Sequence, residues 1–244
     1  MKRSILLSGL AIVFLFLLVA ANSAIAEEKQ ATVSVTISAG AYEVTSTDRG
    51  HEIFVEEFGY LLIPGKPILP SKIFAVAIPP GAEVVEVAFE TGEGIALPEF
   101  YEVPPAPLPR VIGQEDPLIY EKHRQLYEEN FNSVYGSDNP YPQNVGEFVG
   151  TAGYRKYNLA DVRFTPFTYY PVSGRLIYYP EATIHVSYRF SEKWVDVIAD
   201  DIAETERIAE EIILNYDQAK SWYQQSGLSD KELHDFVIIT LSSL

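Results

Sequence analysis

Cysteine is absent from all 244 residues. That excludes disulfides, thiolate nucleophiles, cysteine-ligated zinc and dithiol redox chemistry, so any exported domain in the chain is held by packing alone. Histidine is scarce: His51, His123, His185 and His234 are the whole supply. None has His-x-x-x-His spacing, so no metal site is read from them and each reads as a surface histidine. G-x-S-x-G, P-loop and dinucleotide fingerprints are missing. Basic residues are few, 18 against 34 acidic, a balance that repels nucleic acid and anionic membranes. The acidic pairs Glu56-Glu57, Asp200-Asp201 and Glu210-Glu211 are sequence neighbours. Neighbours on a strand point to opposite faces, and the helical pairs fall on a solvated side, so no acid/base couple emerges. The residues therefore indicate neither a catalytic centre nor a cofactor.

What is present begins with a leader, MKRSILLSGLAIVFLFLLVAANSAIA. Lys2 and Arg3 form a basic n-region, an apolar run follows, and Ala24-Ile25-Ala26 is an A-x-A-like cleavage site ending at Ala26. The small-residue site beside Glu27 favours cleavage over a retained membrane anchor. Removing residues 1–26 leaves 16 basic against 34 acidic residues, a formal −18. The chain is expected to be secreted or displayed at the cell surface. With 47% apolar residues it is no disordered acidic tail.

Residues 27–192 read as β structure. In ATVSVTIS, Val33, Val35 and Ile37 share one face. YEVTST and HEIFVEEF are divided by the turn Asp48-Arg49-Gly50. SKIFAVAIP is apolar on both faces and fits an inner strand, while EVVEVAFE sets Val85, Val87 and Phe89 together. Pro79-Pro80-Gly81 between them demands a tight reversal. From Leu97 to Pro142 the alternation stops in a proline-rich excursion, with a short helix over about 116–130. Its GSDNP could lend oxygens to calcium, but a turn explains the same letters. Alternation then returns as about four strands with a hairpin turn at Pro171–Gly174, and Ile184, Val186, Tyr188 and Phe190 aligned on the last. Tyr169, Tyr170, Tyr178 and Tyr179 suit core and hairpin packing better than a carbohydrate platform. The fold class is mainly β, an antiparallel β-sandwich or barrel-like domain.

Over 193–232 the period changes. Ile202, Ile208, Ile212, Ile213, Tyr216, Ala219 and Trp222 recur at three and four, predicting one amphipathic helix with Asp200 and Asp201 at its start and Gly227 at its stop. Residues 233–244 end in FVIITLSSL, whose apolar run suits a strand covered on both faces. One such strand cannot bury itself, which predicts that a truncated α/β domain starts here.

The ordered set GKPILPSKIFAVAIPPGAEV, YRKYNLADVRFTPFTYYPVSGRLIYYPEATIHVSYRF, ILNYDQAKSWY and DFVIIT resembles the gingipain-type (C25) cysteine peptidase precursors. The resemblance spans roughly residues 30–240, the propeptide and its junction with the peptidase. It implies a β-sandwich prodomain that assists folding in cis and keeps the peptidase latent until proteolysis removes it. The chain itself is then no enzyme, because the family's catalytic Cys and His fall beyond Leu244. In gingipain-like proteins a basic prodomain side chain fills the specificity pocket, which makes Arg110, Lys122 and Arg124 the inhibitory-loop candidates here, Arg124 foremost. Lys231, in the polar QQSGLSDKELHD, is the processing candidate if the peptidase cuts after basic residues. The competing reading is a free-standing extracellular β-sandwich for adhesion or ligand binding.

Overall fold

The computed structural model describes residues 30–109, 117–190 and 202–223. The leader, Asp200, Asp201, Gly227 and the 233–244 segment lie outside those residues.

The first strands are β1 (Gln30–Ser38), β2 (Tyr42–Thr47), β3 (Gly50–Val55), β4 (Gly59–Tyr60), β5 (Pro70–Ile78), β6 (Ala82–Thr91) and β7 (Ile95–Ala96). Helix α1 (Pro117–Tyr135) follows, then β8 (Gly146–Tyr154), β9 (Tyr157–Phe164), β10 (Phe167–Tyr170), β11 (Arg175–Tyr178) and β12 (Glu181–Phe190). Helices α2 (Ala203–Ile212) and α3 (Tyr216–Tyr223) complete the order. Two sheets, β1-β12-β6 and β4-β5-β9-β8, share one core in which Val33, Val76, Val162, Phe164, Ile184 and Val186 are all buried. A third sheet, β10-β11-β7, and the hairpin β2-β3 close on the same core through Phe167, Leu176 and Ile53. Every strand pair is antiparallel. The sandwich expected from the alternation is the fold.

Alternation explains β1 in detail. Val33 and Ile37 are buried, while the outward Thr32, Ser34 and Thr36 hydrogen-bond across to Ser187, His185 and Thr183 of β12. The Pro79-Pro80-Gly81 reversal does more than turn the chain. Gly81 takes φ +75°, Ala82 N–H donates to the Pro79 carbonyl at 3.1 Å, and the chain crosses from one sheet to the other.

Two strand faces differ from the sequence reading. The pairing of β6 with β12 shifts register between Ser187 and Tyr188, leaving Val85 as an extra residue. That bulge turns Val85 outward, 49% exposed, and brings Val84 to the side of Val87 and Phe89. Phe190 ends β12 beyond the core and is exposed, packed edge-on to the Tyr188 ring. Glu56 and Glu57 are not on a strand at all: they form the turn after β3, with Glu57 at φ 63°.

The predicted single amphipathic helix is two. Ile213 leaves the helical region at φ −97°, ψ 116° and bridges in parallel to Ala75 on β5. β4 pairs with only Pro70 and Ser71, so the rest of that β5 edge would present unpaired main-chain groups. The break fills it. Leu214 N–H donates to the Ala75 carbonyl at 3.0 Å, and the Asn215 side-chain amide takes both groups of Ala77, accepting its N–H at 2.8 Å and donating to its carbonyl at 3.0 Å. Farther along, the Tyr223 hydroxyl accepts from Asn158 N–H and donates to the Ile78 carbonyl. Ala209, Ala219, Tyr216 and Tyr223 meanwhile pack on Ala77, Tyr157 and Leu159, on the sheet face opposite the main core. Helical periodicity is preserved through the break, which is why the sequence pattern read as continuous.

A charged latch ties α2 to the β8–β9 turn. Lys156, its side chain 6% exposed, lies 2.6 Å from Glu206, which also accepts from the hydroxyls of Tyr157 (2.8 Å) and Tyr216 (2.6 Å). Burial alone would raise the Glu206 pKa, but these hydrogen bonds and the Lys156 charge outweigh it and hold the carboxyl below its ordinary 4.5. Burial, and then Glu206 itself, push the Tyr216 hydroxyl up to about 12.

Replacing Asn215 with Ala strips both Ala77 groups of their partner and is expected to cost roughly 1–3 kcal/mol, read as a lower urea midpoint with little change in m. Because the folded Glu206 carboxyl titrates below its unfolded value, its contribution is complete above pH 4.5 and lost as pH falls through the lowered value. Glu206→Gln should accordingly flatten the acid limb of the thermal midpoint against pH, while lowering stability at neutral pH.

Candidate functional site

The proline-rich excursion is not a free loop. Its first part is drawn into the core, with Tyr101, Val103 and Ala106 buried. Proline has no N–H to give, so the fastening bonds use the residues between prolines. Ala106 N–H donates to the Lys66 carbonyl, Gly65 N–H to the Ala106 carbonyl, and Ile68 N–H to the Pro104 carbonyl, all between 2.8 and 3.0 Å. The G-x-P-x-L-P element Gly65–Pro70 is thus one half of an irregular ladder whose other half is Pro104–Ala106. Tyrosine hydroxyls hold the preceding turn. Tyr169 donates to the Tyr101 carbonyl and accepts from Val103 N–H, and Tyr135 donates to the Val103 carbonyl at 2.7 Å. Burial drives the Tyr135 hydroxyl well above the usual tyrosine range and raises that of Tyr169, so both remain neutral donors. His51, expected at the surface, is part of the same fastening: its Nδ1 accepts from Glu102 N–H at 2.9 Å.

On this platform stands α1, longer than the short helix predicted. Its C-terminal half is the root. Tyr127, Phe131 and Tyr135, spaced by four, stack in sequence at 6.2 and 4.7 Å, and the Asn130 amide donates to the Pro64 carbonyl. Gly65 makes the approach possible. It has φ +82°, and a Cβ there would lie 2.3 Å from the Tyr127 carbonyl oxygen. The N-terminal half is largely solvent-facing, with Leu118 80% exposed and Ile119, Tyr120 and Leu126 also exposed.

Both described inhibitory candidates lie on this half, on a helix and not on the loop expected. Arg124 is gripped on its own helix: its guanidinium binds Glu121 through two nitrogens, at 2.6 and 3.0 Å, and also reaches Glu128. The Arg124 hydrogen bond in turn holds the Glu121 carboxyl below the usual range. These pairs are exposed, where water competes for both partners and the grip is weak. Lys122 is exposed, and with Leu118 and Leu126 at i−4 and i+4 it shares one helical stripe. Arg110, Ala26 and Lys231 lie outside the described residues.

The GSDNP segment is a turn clamp. Asp138 accepts from Val172 N–H, Ser173 N–H and the Ser173 hydroxyl, closing the β10–β11 hairpin, and the Ser173 bonds are the main reason its carboxyl sits below the usual range. Sequence reasoning missed Asn215, Gly65 and Lys156 as fasteners. The one available signal was their placement: an amide inside a helical period, a glycine between prolines, a lysine in a turn between aromatic strands.

Gly65→Ala is expected to destabilise the domain by roughly 1–3 kcal/mol through backbone strain, with amide exchange rising most across residues 127–135. Uniform loosening of the sandwich instead would contradict the assignment of Gly65 to the root of α1.

The profile of the Propeptide_C25 family matches residues 23–223. Two solved structures from Porphyromonas gingivalis are similar, both at 18% identity. One is the complex of the RgpB pro- and mature domains, covering 78% of this chain and 94% of its own, TM-score 0.47. The other, solved for the zymogenic latency of gingipain K, covers 67% and 94%, TM-score 0.44. No curated protein sequence matches. The family profile takes in every strand and helix described above, from β1 to α3, and the chain belongs to the Propeptide_C25 family.

Proposed function

We propose that this chain is the N-terminal propeptide of a secreted C25-type cysteine endopeptidase, acting in cis as a folding aid and as the inhibitor that keeps its peptidase latent until proteolysis. The observation that carries this reading is the family match over the whole described fold. The catalytic Cys and His belong to the peptidase domain beyond the propeptide. The leader is residues 1–26, cut after Ala26; the β-sandwich is 27–192; the helices and processing junction, with Lys231 as the cut site, are 193–232; and the peptidase domain begins at 233–244. No described helix is long and apolar enough to cross a membrane.

Latency requires a segment that enters the active-site cleft without being turned over. The exposed half of α1 suits that task because its root is fixed at several points and it carries Arg124 and Lys122 beside apolar side chains. Arg124 is the residue for the specificity pocket, its exposed grip on Glu121 and Glu128 being exchanged for an acidic or carbonyl-lined pocket of the peptidase. Lys122 is the second choice and Arg110 the third.

Inhibition of the cognate peptidase by the added chain tests this. The wild-type chain should inhibit, and Arg124→Ala should raise the inhibition constant about tenfold or more, as expected for an interface hot spot. If Arg124→Ala inhibits equally while Lys122→Ala or Arg110→Ala does not, the pocket residue changes and latency stands. No inhibition by the wild-type chain removes the latency reading itself.

A further inference from the structure

Away from α1's exposed half, a cleft of about 400 Å³ opens between β6, the segment leading from α1 into β8, and the β10–β11 hairpin. Its volume falls in the range of small-molecule sites, roughly 300–1,000 Å³. Three observations give it a chemistry. First, none of its lining residues is charged, in a chain where 21% of residues are. Second, its aromatic walls are fixed in advance. The Phe89 ring fills the space over Gly146, where a Cβ would come within 2.1 Å of it, and the Tyr179 ring lies against Gly94 in the same way, at 2.8 Å. Tyr170 is held by the Arg175 guanidinium, 3.9 Å from its ring centroid. Third, Thr168 is only 5% exposed and lines the cleft, yet its hydroxyl hydrogen-bonds to no described residue. The hydroxyl oxygen keeps access to solvent and is available to a ligand in the cleft. The side-chain amides of Gln143 and Asn144, also in the lining, are likewise unused among the described residues.

We propose that this cleft binds an uncharged saccharide of one or two rings. Sugar hydroxyls both donate and accept, which matches a threonine hydroxyl and two carboxamides, each of them a donor and an acceptor. The apolar faces of the sugar ring match the preset walls of Phe89, Tyr170 and Tyr179. Nucleotides, phosphates and carboxylates find no cation in the lining. A purely apolar ligand would leave the Gln143 and Asn144 amides and the Thr168 hydroxyl without a polar match. The face alternation of β10 and β11 separates the four tyrosines considered for a carbohydrate platform: Tyr169 and Tyr178 go to the core, while Tyr170 and Tyr179 go to the cleft.

Saturation-transfer NMR on the full chain tests the site, with cellobiose and N,N′-diacetylchitobiose as probes at about 10 mM, suited to a Kd of order 1 mM. Transfer to the ring protons of at least one disaccharide is expected. Thr168→Val, which keeps the side-chain shape, and Asn144→Ala, an exposed change that leaves the fold intact, should each weaken binding fivefold or more. No transfer from either probe overturns the proposal, as does transfer that both variants leave unchanged. If the variants instead weaken peptidase inhibition with no sugar bound, the cleft belongs to the peptidase contact and the saccharide site is refuted.

Discussion

Main-chain hydrogen-bonding groups left over by the regular ladders are the constraint around which this protein is arranged. A buried N–H or carbonyl without a partner costs about as much as several good contacts return. With no disulfide to impose order, each irregular segment must supply those partners itself. Asn215 does so for Ala77, Tyr223 for Asn158 and Ile78, Tyr169 for Tyr101 and Val103, and Asp138 for the Val172–Ser173 turn. In every case a side chain supplies a partner that the regular ladders do not. The prolines sharpen the requirement, because each removes a donor and leaves a carbonyl still to be paired.

The same constraint explains which features of the sequence were readable. The sandwich was legible because period-two alternation in β1, β9 and β12 is set by burial, and burial leaves its mark on residue type. The two-faced apolarity of β5 correctly announced a covered inner strand. Local irregularities left no such mark. The bulge that turns Val85 outward depends on what β12 does opposite it, and the break at Ile213 depends on an open edge more than a hundred residues earlier in the chain. Asn215 keeps its place in the helical period while leaving the helix, so periodicity alone could not find it. Of the candidate site, the sequence yielded the basic residues and the excursion that carries them. It did not yield their support, since Gly65 and Val103 meet α1 only in three dimensions.

Within the described residues, the motifs that resemble C25 precursors turn out to be fasteners. Gly65–Pro70 and Pro104–Ala106 form the ladder beneath α1, Tyr169 pins the turn above it, and the Ile213–Tyr223 segment straps the far side of the central sheet. None of these described segments contributes a reactive group. The charged pairs divide in the same spirit: Lys156–Glu206 is enclosed and structural, whereas Arg124 with Glu121 and Glu128 is open to water and readily exchanged. A scaffold rigid in its interior, with a loosely held cation at its periphery, suits the removable inhibitor proposed above.

Helix α1 has a mechanical consequence. Its 19 residues span about 28 Å at 1.5 Å per residue, and the contacts at Tyr127, Asn130, Phe131 and Tyr135 all fall in one half. A tilt of some ten degrees about those contacts would swing the Lys122–Arg124 segment by roughly 2 Å. Alignment of those cations is therefore governed by residues far from them, at Gly65 and Val103, where a small packing error is amplified before it reaches the tip.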